Sequence, residues 1–466
     1  MIHQSLIYQD KFGTPEMRSI WTEEKMLQGW LDLEAAVTEA QGNMGVVPQS
    51  IANKIIRNCN TKKITPKAVA AWHKKTGHVI VALVKAFRDA VPDAGERFHL
   101  GLTTQDVLDT GLTLQIRNAL QILVPSLFKL EDTLLKLAHK DRLTVMAGRS
   151  EGQQGAPITF GYKVAVMADT IGAHLERLDA CAERLMILTL FGATGVQSSY
   201  ALVVGEKRVD RLTRLVGKRL GLVVPPICPH KRIDRFAELG NTLAMICTTL
   251  GEMGMEIRDL QRNEVSEISE PWGDMQFSSS TMPQKQNPEP SEWWTGLARL
   301  ARGFSASLSE IQTQHERDIS RLAPEFYGIP NLFLHTAVAA ASATRIFGGL
   351  QVHKERMRSN LMERGGLIMA ESVMLGLAEK SNRKVWAHQF VHDVAIEVAT
   401  KGGDFSEAVT HHKDIKKFLS LADIKALLKP ENYIGTAAEQ VANVRTQAQK
   451  RRGALKKSFR KSLGSF

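Results

Sequence analysis

The sequence predicts an all-α protein built around a bundle of long helices. Apolar residues recur at helical rather than alternating spacing along most of the 466 residues. Helical patterning runs through 107–140, 160–189, 207–220, 235–269, 290–314 and 331–348, mostly well beyond the mean helix length of about 11–12 residues. Helices that long bury an apolar stripe by packing lengthwise, as in a bundle. Composition agrees. Aromatic residues make up only 6%, while Ala, Leu, Met, Glu, Lys and Arg, all good helix formers, are plentiful.

The first clear amphipathic helix covers 21–41, with Trp30, Leu31, Leu33 and Val37 at helical spacing, and Gly42, Gly45 and Pro48 end it. A second covers 78–91 and closes at Pro92. The stretch 107–140 is expected to break at Pro125, which removes a backbone donor. After residue 349 the helices become shorter, with breaks at Gly365–Gly366, Gly402–Gly403 and 430–435. Three units are expected: an N-terminal helical domain (1–106), a central bundle (107–350) and a small C-terminal helical domain with a basic tail (351–466). Three hydrophilic segments, 100–109, 148–161 and 274–292, interrupt the long helices, and loops on a rigid scaffold are where chemistry concentrates. Little in the pattern suggests strands.

Several classes are excluded. No basic stretch followed by an apolar one opens the chain, and no apolar run approaches the ~20 residues of a membrane span. The four cysteines (Cys59, Cys181, Cys228 and Cys247) are dispersed, which fits reduced thiols in the cytoplasm rather than a disulfide framework or a zinc site. No cofactor or metal is implied. The formal net charge is +11, and seven basic residues lie between Lys450 and Lys461 with no acid among them. That tail is expected to be a solvated, frayed end. A nucleic-acid reading is not favoured, because single-strand binding needs stacking aromatics and the tail offers only Phe459 and Phe466. The remaining positive excess suits an anionic small substrate.

The segment from Phe277 to Pro288 carries the strongest signal. It is a Ser-rich loop with one cation, Lys285, and one amide, Asn287, running into a helix at Pro288. Such a loop offers hydroxyls, an ammonium and backbone N–H donors to an anion. It closely resembles the GSSxMPxKxNP signature of the fumarase/aspartase superfamily, with Ser278 in place of the glycine. Other segments agree. Gly101-Leu102-Thr103-Thr104-Gln105-Asp106 is similar to that family's substrate loop, and Gly148-Arg149-Ser150 to its GRT segment. Asp234-Arg235 resembles its RDR element. His315 to Ser320 reads HERDIS, as in adenylosuccinate lyases. The 366–371 and 433–435 segments resemble the C-terminal domains of adenylosuccinate lyase and carboxymuconate cycloisomerase. The resemblance runs from Pro15 to Tyr433.

The resemblance implies a homotetramer with a twenty-helix core whose active sites are shared between subunits. It also implies β-elimination from a succinyl-type dicarboxylate, by C–N cleavage that releases fumarate. Ser279 corresponds to the base. Lys285, Asn287, Thr103 and Thr104 would hold the carboxylates and the developing charge, joined by Ser150, Arg149 and Arg317; Arg149 is equally readable as half of a structural ion pair. The acid is open. The family's usual His after GRT is Glu151 here, and its Glu partner corresponds to Glu292. If the two carboxylates met, one would hold a proton. His78, similar to the His of an HDVVAF segment, is the other candidate. The phosphate-binding positions of adenylosuccinate lyases depart as well. An Arg-Tyr pair is replaced by Lys11 and Phe12, and a Ser/Arg-bearing run by Leu322 to Phe326. A Phe cannot take over a guanidinium's role on phosphate, so a leaving group other than a nucleotide is expected. A carboxymuconate cycloisomerase-type enzyme and a non-catalytic scaffold of the same fold are the alternatives.

Overall fold

The computed structural model describes residues 5–273, 278–313 and 318–464. It is predominantly helical. The elements that place the site are helix α1 (Glu23–Asn43), α2 (Val79–Ala90), α3 (Thr104–Lys140), hairpin strands β1 (Val145–Ser150) and β2 (Gln153–Thr159), α4 (Phe160–Leu185), α5 (Asp234–Gln261), α6 (Glu289–Glu310), α7 (Ile329–Gly349) and a last long helix, α8 (Ala437–Leu463). No helix among the described residues is long and apolar enough to cross a membrane.

Helices α3 to α7 form the central bundle. Their apolar faces merge with α1 and α8 into one core that includes Leu31, Leu120, Leu127, Leu175, Leu243, Leu297 and Phe333. Helix α1 crosses α3 at a glycine pair. A Cβ on Gly111 would lie 2.5 Å from the Trp30 ring, so only glycine lets the two backbones approach this closely. A second, smaller core gathers Val373, Leu377, Ala387, Phe405 and Ile424. A third joins the hairpin to the C-terminal region through Val145, Ala147, Leu361 and Met369.

Three features differ from the sequence reading. Helix α3 runs without interruption through Pro125. A proline inside a helix costs about 3 kcal/mol, but Leu123, Val124, Leu127 and Phe128 are all buried around it, and their packing outweighs that local cost. Residues within 148–161 form a β-hairpin rather than an irregular loop, with β1 and β2 antiparallel and Ser150 paired to Gln153. Its two tip residues, Glu151 and Gly152, both have positive φ (53° and 77°), as the tightest right-twisted hairpin turns require. The basic tail is also no frayed end. Helix α8 folds back on the bundle and buries Leu455, Phe459 and Leu463. The Phe459 ring stands edge-on to Phe128, with centroids 6.5 Å apart. Arg451 reaches the buried Glu131 at 2.8 Å, and Arg452 reaches Glu131 at 2.9 Å and Asp132 at 2.5 Å. The apolar stripe at 455, 459 and 463 was masked in the sequence by the lysines and arginines between its members.

Truncating a fully buried Phe typically costs about 3–5 kcal/mol. Phe459→Ala is therefore expected to lower the thermal midpoint by several degrees and to release α8, read by differential scanning calorimetry and by proteolysis after Arg445.

Candidate active site

The expected site residues fall at two ends of the bundle. At the first end lie His78, Thr103 and Thr104. His78 caps α2: its Nδ1 accepts from Val81 N at 3.3 Å, and its Nε2 lies 3.4 Å from Thr104 Oγ1. Thr103 and Thr104 begin α3, where Thr103 N donates to Asp106 at 3.2 Å. The carboxylate of Asp106 is fully buried and accepts also from Phe191 N (2.8 Å), Gly192 N (3.1 Å) and Tyr200 OH (2.8 Å). It therefore fixes the threonine segment against the 191–200 loop.

His230 Nε2 approaches the same carboxylate at 3.4 Å. Burial works against a charged ring, but Asp106, Cys228 and the charge of Asp109 outweigh it and push the His230 pKa up to about 9. One helical turn on, Asp109 is held by Gln105 and Arg321, with Arg235 4.0 Å away. Arg321 also donates to His230 O at 2.8 Å and reaches Glu325 at 3.0 Å. Burial pushes the Glu325 carboxyl up, against the pull of Arg321 and Arg235. Arg317 lies outside the described residues, as do the two residues before it in the HERDIS segment. Ile319–Arg321 follows at this same end.

At the second end lie the hairpin and the signature loop. Arg149 forms a two-pronged ion pair with the buried Glu267, at 2.9 and 2.6 Å, and Asn360 Nδ2 adds a bond to Glu267 at 3.0 Å. Of the two readings of Arg149, the ion pair is the one displayed; it anchors the hairpin to the chain after α5. Ser150 and Glu151 stand exposed at the hairpin tip. In the loop, Ser279 Oγ accepts from Met282 N at 2.9 Å and from Thr281 N at 3.4 Å. Asn287 Nδ2 donates to Ser278 O at 2.8 Å, which closes the neck of the loop, and Lys285 is exposed. Glu292 lies 3.5 Å from Arg258. Among the described residues no hydrogen bond joins Glu151 to Glu292, so the pairing that would have raised one carboxyl is not made within the chain.

Helix lengths fix how far apart the two ends are. Helix α3 has 37 residues and is thus about 55 Å long. It begins at Thr104, and the hairpin with Arg149 follows its far end. Helix α5 tells the same story independently. Arg235 near its start faces Asp109, and Gln261 at its end bonds Gln286 in the signature loop; its 28 residues span about 42 Å. One chain therefore brings His78 to Thr104 and braces Ser279 with Asn287, but holds these two groups a bundle's length apart.

Sequence reasoning missed the residues that hold these groups: Asp106, Tyr200 and His230 at one end, and Gln261, Glu267 and Glu270 at the other. The Thr103-x-x-Asp106 capping box and the i,i+4 spacings Gln105/Asp109 and Arg321/Glu325 were readable signals; the contacts of Tyr200, His230 and Glu267 are long-range and leave none. Among the described residues, no three His, Cys, Asp or Glu side chains converge as a metal site requires.

The chain is thus a helical bundle with a Ser/Lys/Asn loop at one end and a Thr/His pair at the other. The sequence profile of a family described as "Lyase" matches residues 10–303, and that described as "Adenylosuccinate lyase C-terminus" matches 366–444. The adenylosuccinate lyase of Pyrococcus horikoshii is 38% identical over 93% of this chain and 96% of that protein. The N-acetyl-S-(2-succino)cysteine lyase of Dickeya dadantii is 33% identical over 94% of this chain and 96% of that protein. The crystal structure of the 3-carboxy-cis,cis-muconate lactonizing enzyme from Pseudomonas putida superposes with a TM-score of 0.88 at 29% identity, covering 96% of this chain and all of that one. The chain belongs to this lyase family, in the branch shared by adenylosuccinate lyases and carboxymuconate cycloisomerases.

Two outcomes are expected. A His whose pKa rises from 6.5 to about 9 on folding adds stability that is complete below pH 6.5 and lost as pH climbs through 9. The thermal midpoint should therefore fall over that window, and His230→Gln should flatten the fall. Removing one partner of a buried ion pair typically costs about 3–5 kcal/mol. Arg149 is partly exposed, so Arg149→Ala should lose about 3 kcal/mol, read by denaturant titration.

Proposed function

We propose that this enzyme eliminates fumarate from a succinyl-type dicarboxylate whose leaving group is not a nucleotide. The observation that carries the reading is the state of positions 11 and 12. Lys11 Nζ is paired with Glu289 at 2.6 Å and lies 5.7 Å over the Trp293 ring. Phe12 packs edge-on to Trp293 at 5.5 Å and against His335. In the later run, Glu325 is buried against Arg321. At the positions that correspond to phosphate ligands in adenylosuccinate lyases, this chain has a solvent-exposed ion pair, aromatic packing and a buried carboxylate, which supports the reading.

In the proposed reaction Ser279, as its alkoxide, removes the proton beside one carboxylate. The Met282 and Thr281 N–H groups aimed at its oxygen favour that charge. The electron pair spreads into the carboxylate, where Lys285 and Asn287 supply positive charge and a donor. The bond from the neighbouring carbon to nitrogen or sulfur then breaks, its electrons leave with the heteroatom, and an acid protonates it. His78 is the better placed acid, since it already touches Thr104; Glu151 remains the alternative.

The two-ended distribution of these groups supports a homotetramer. The Thr104 end of one chain would meet the Ser279 end of another running antiparallel, and five long helices from each of four chains would make a twenty-helix core. We place the enzyme in the cytoplasm, in keeping with its free cysteines. A cycloisomerase of carboxymuconate is the second reading, favoured by the superposition on the Pseudomonas putida structure.

The test is a panel that follows fumarate by its ultraviolet absorbance: adenylosuccinate, argininosuccinate, iminodisuccinate, aspartate and an N-acetylated S-succinocysteine, with carboxymuconate assayed separately. Fumarate from a non-nucleotide member and not from adenylosuccinate is expected; efficient turnover of adenylosuccinate overturns the argument from positions 11 and 12. On the active substrate, Ser279→Ala and His78→Ala should each lose about 10²–10⁴-fold in kcat. Mixing the two inactive variants under subunit exchange should restore activity, because hybrids contain some sites with both wild-type residues.

A further inference from the structure

The signature loop is braced on itself. Ser278 Oγ donates to Lys285 O at 2.5 Å and accepts from Asn287 N at 2.9 Å, Lys285 N donates to Met282 O at 3.1 Å, and Asn287 Nδ2 closes the neck on Ser278 O. A segment tied across its neck in this way moves as one body. It joins the bundle covalently at Pro288, where the chain turns into α6. The chain is also continuous on the Ser278 side, and backbone continuity at the two ends fixes the path of the segment but not the tilt of Ser279.

A side-chain attachment comes from the last residue of α5. Gln261 is half-buried. Its Nε2 donates to Gln286 O at 3.0 Å, and its Oε1 accepts from Glu270 N at 2.9 Å. Glu270 is buried, and its carboxylate accepts from Ser291 N at 3.1 Å and from Ser291 Oγ, in the first turn of α6. One primary amide therefore links the end of α5 to the chain entering the loop and to the chain leaving it. The neighbouring carboxylate fastens the helix that follows.

We infer that Gln261 is a positioning residue that sets the orientation of the Ser279 segment, and through it the aim of Ser279 and Lys285. The chemistry requires this side chain: an acceptor and a donor on one planar group, each facing a backbone group of opposite need. Glutamate keeps the acceptor for Glu270 N but turns a carboxylate oxygen on the Gln286 carbonyl. Methionine keeps the volume and loses both bonds. The inference rests on the reading of Ser279 as base.

The experiment uses the full-length oligomer, Gln261→Met and Gln261→Glu, and whichever panel substrate is turned over. A misplaced reacting group can lose about 10²-fold in rate. Both variants should lower kcat by about 10–100-fold with KM little changed. Amide exchange across 278–288 should accelerate, while the thermal midpoint and oligomeric state hold. Wild-type kcat in Gln261→Met overturns the inference, whether or not exchange in the loop changes. So does a loss of kcat accompanied by faster exchange throughout the bundle or a fallen midpoint, since the role would then be general stability. Full activity in Ser279→Ala would instead sink the assignment of the base. The exchange measurement on 278–288 is independent of that result and still reads the tether.

Discussion

A helix cannot fold back to bring its own ends together, and much of this protein's behaviour follows from that. Helices α3 and α5 are long separators, about 55 and 42 Å from end to end. The groups fit for acid–base work are mounted at opposite ends of them. Each end is well braced, with Asp106 clamping the threonine segment and Asn287 clamping the serine loop. On the proposed reading, the same rigidity would leave the joining of the two halves to another copy of the chain, and association and catalysis would be one requirement.

Both ends also carry buried charge, and in each case it sits behind the exposed groups. The Asp109–Arg321–Glu325 cluster and the Arg149–Glu267 pair gain little net stability over an apolar filling of the same volume. Their value lies in direction. An ion pair with two prongs fixes the angle at which a hairpin or a short helical turn leaves the bundle, and an apolar contact would leave that angle soft.

The architecture was legible in the sequence because long helices announce themselves through period and length, and α4, α6 and α7 begin within a residue or two of the expected positions. The signature loop was legible because its residues are contiguous. What stayed hidden was set by contacts distant in sequence. Pro125 signals a break that surrounding packing overrides. Gly148 to Gly161 reads as a polar loop because half of its hairpin faces solvent. The bond of Arg149 to Glu267, 118 positions away, leaves no trace in the sequence. Gln261 carries no local mark at all.

The docking of α8 bears on how the molecule is made. The bond between Arg451 and Glu131 joins residues 320 apart in the chain. At about 5–20 residues per second on a ribosome, the acidic patch on α3 waits about 15–60 s for its partner. Through that interval the face destined to receive Phe459 is open to solvent and to other nascent chains. Two acids on α3, Glu131 and Asp132, lie beside that face, and two arginines close on them when α8 docks.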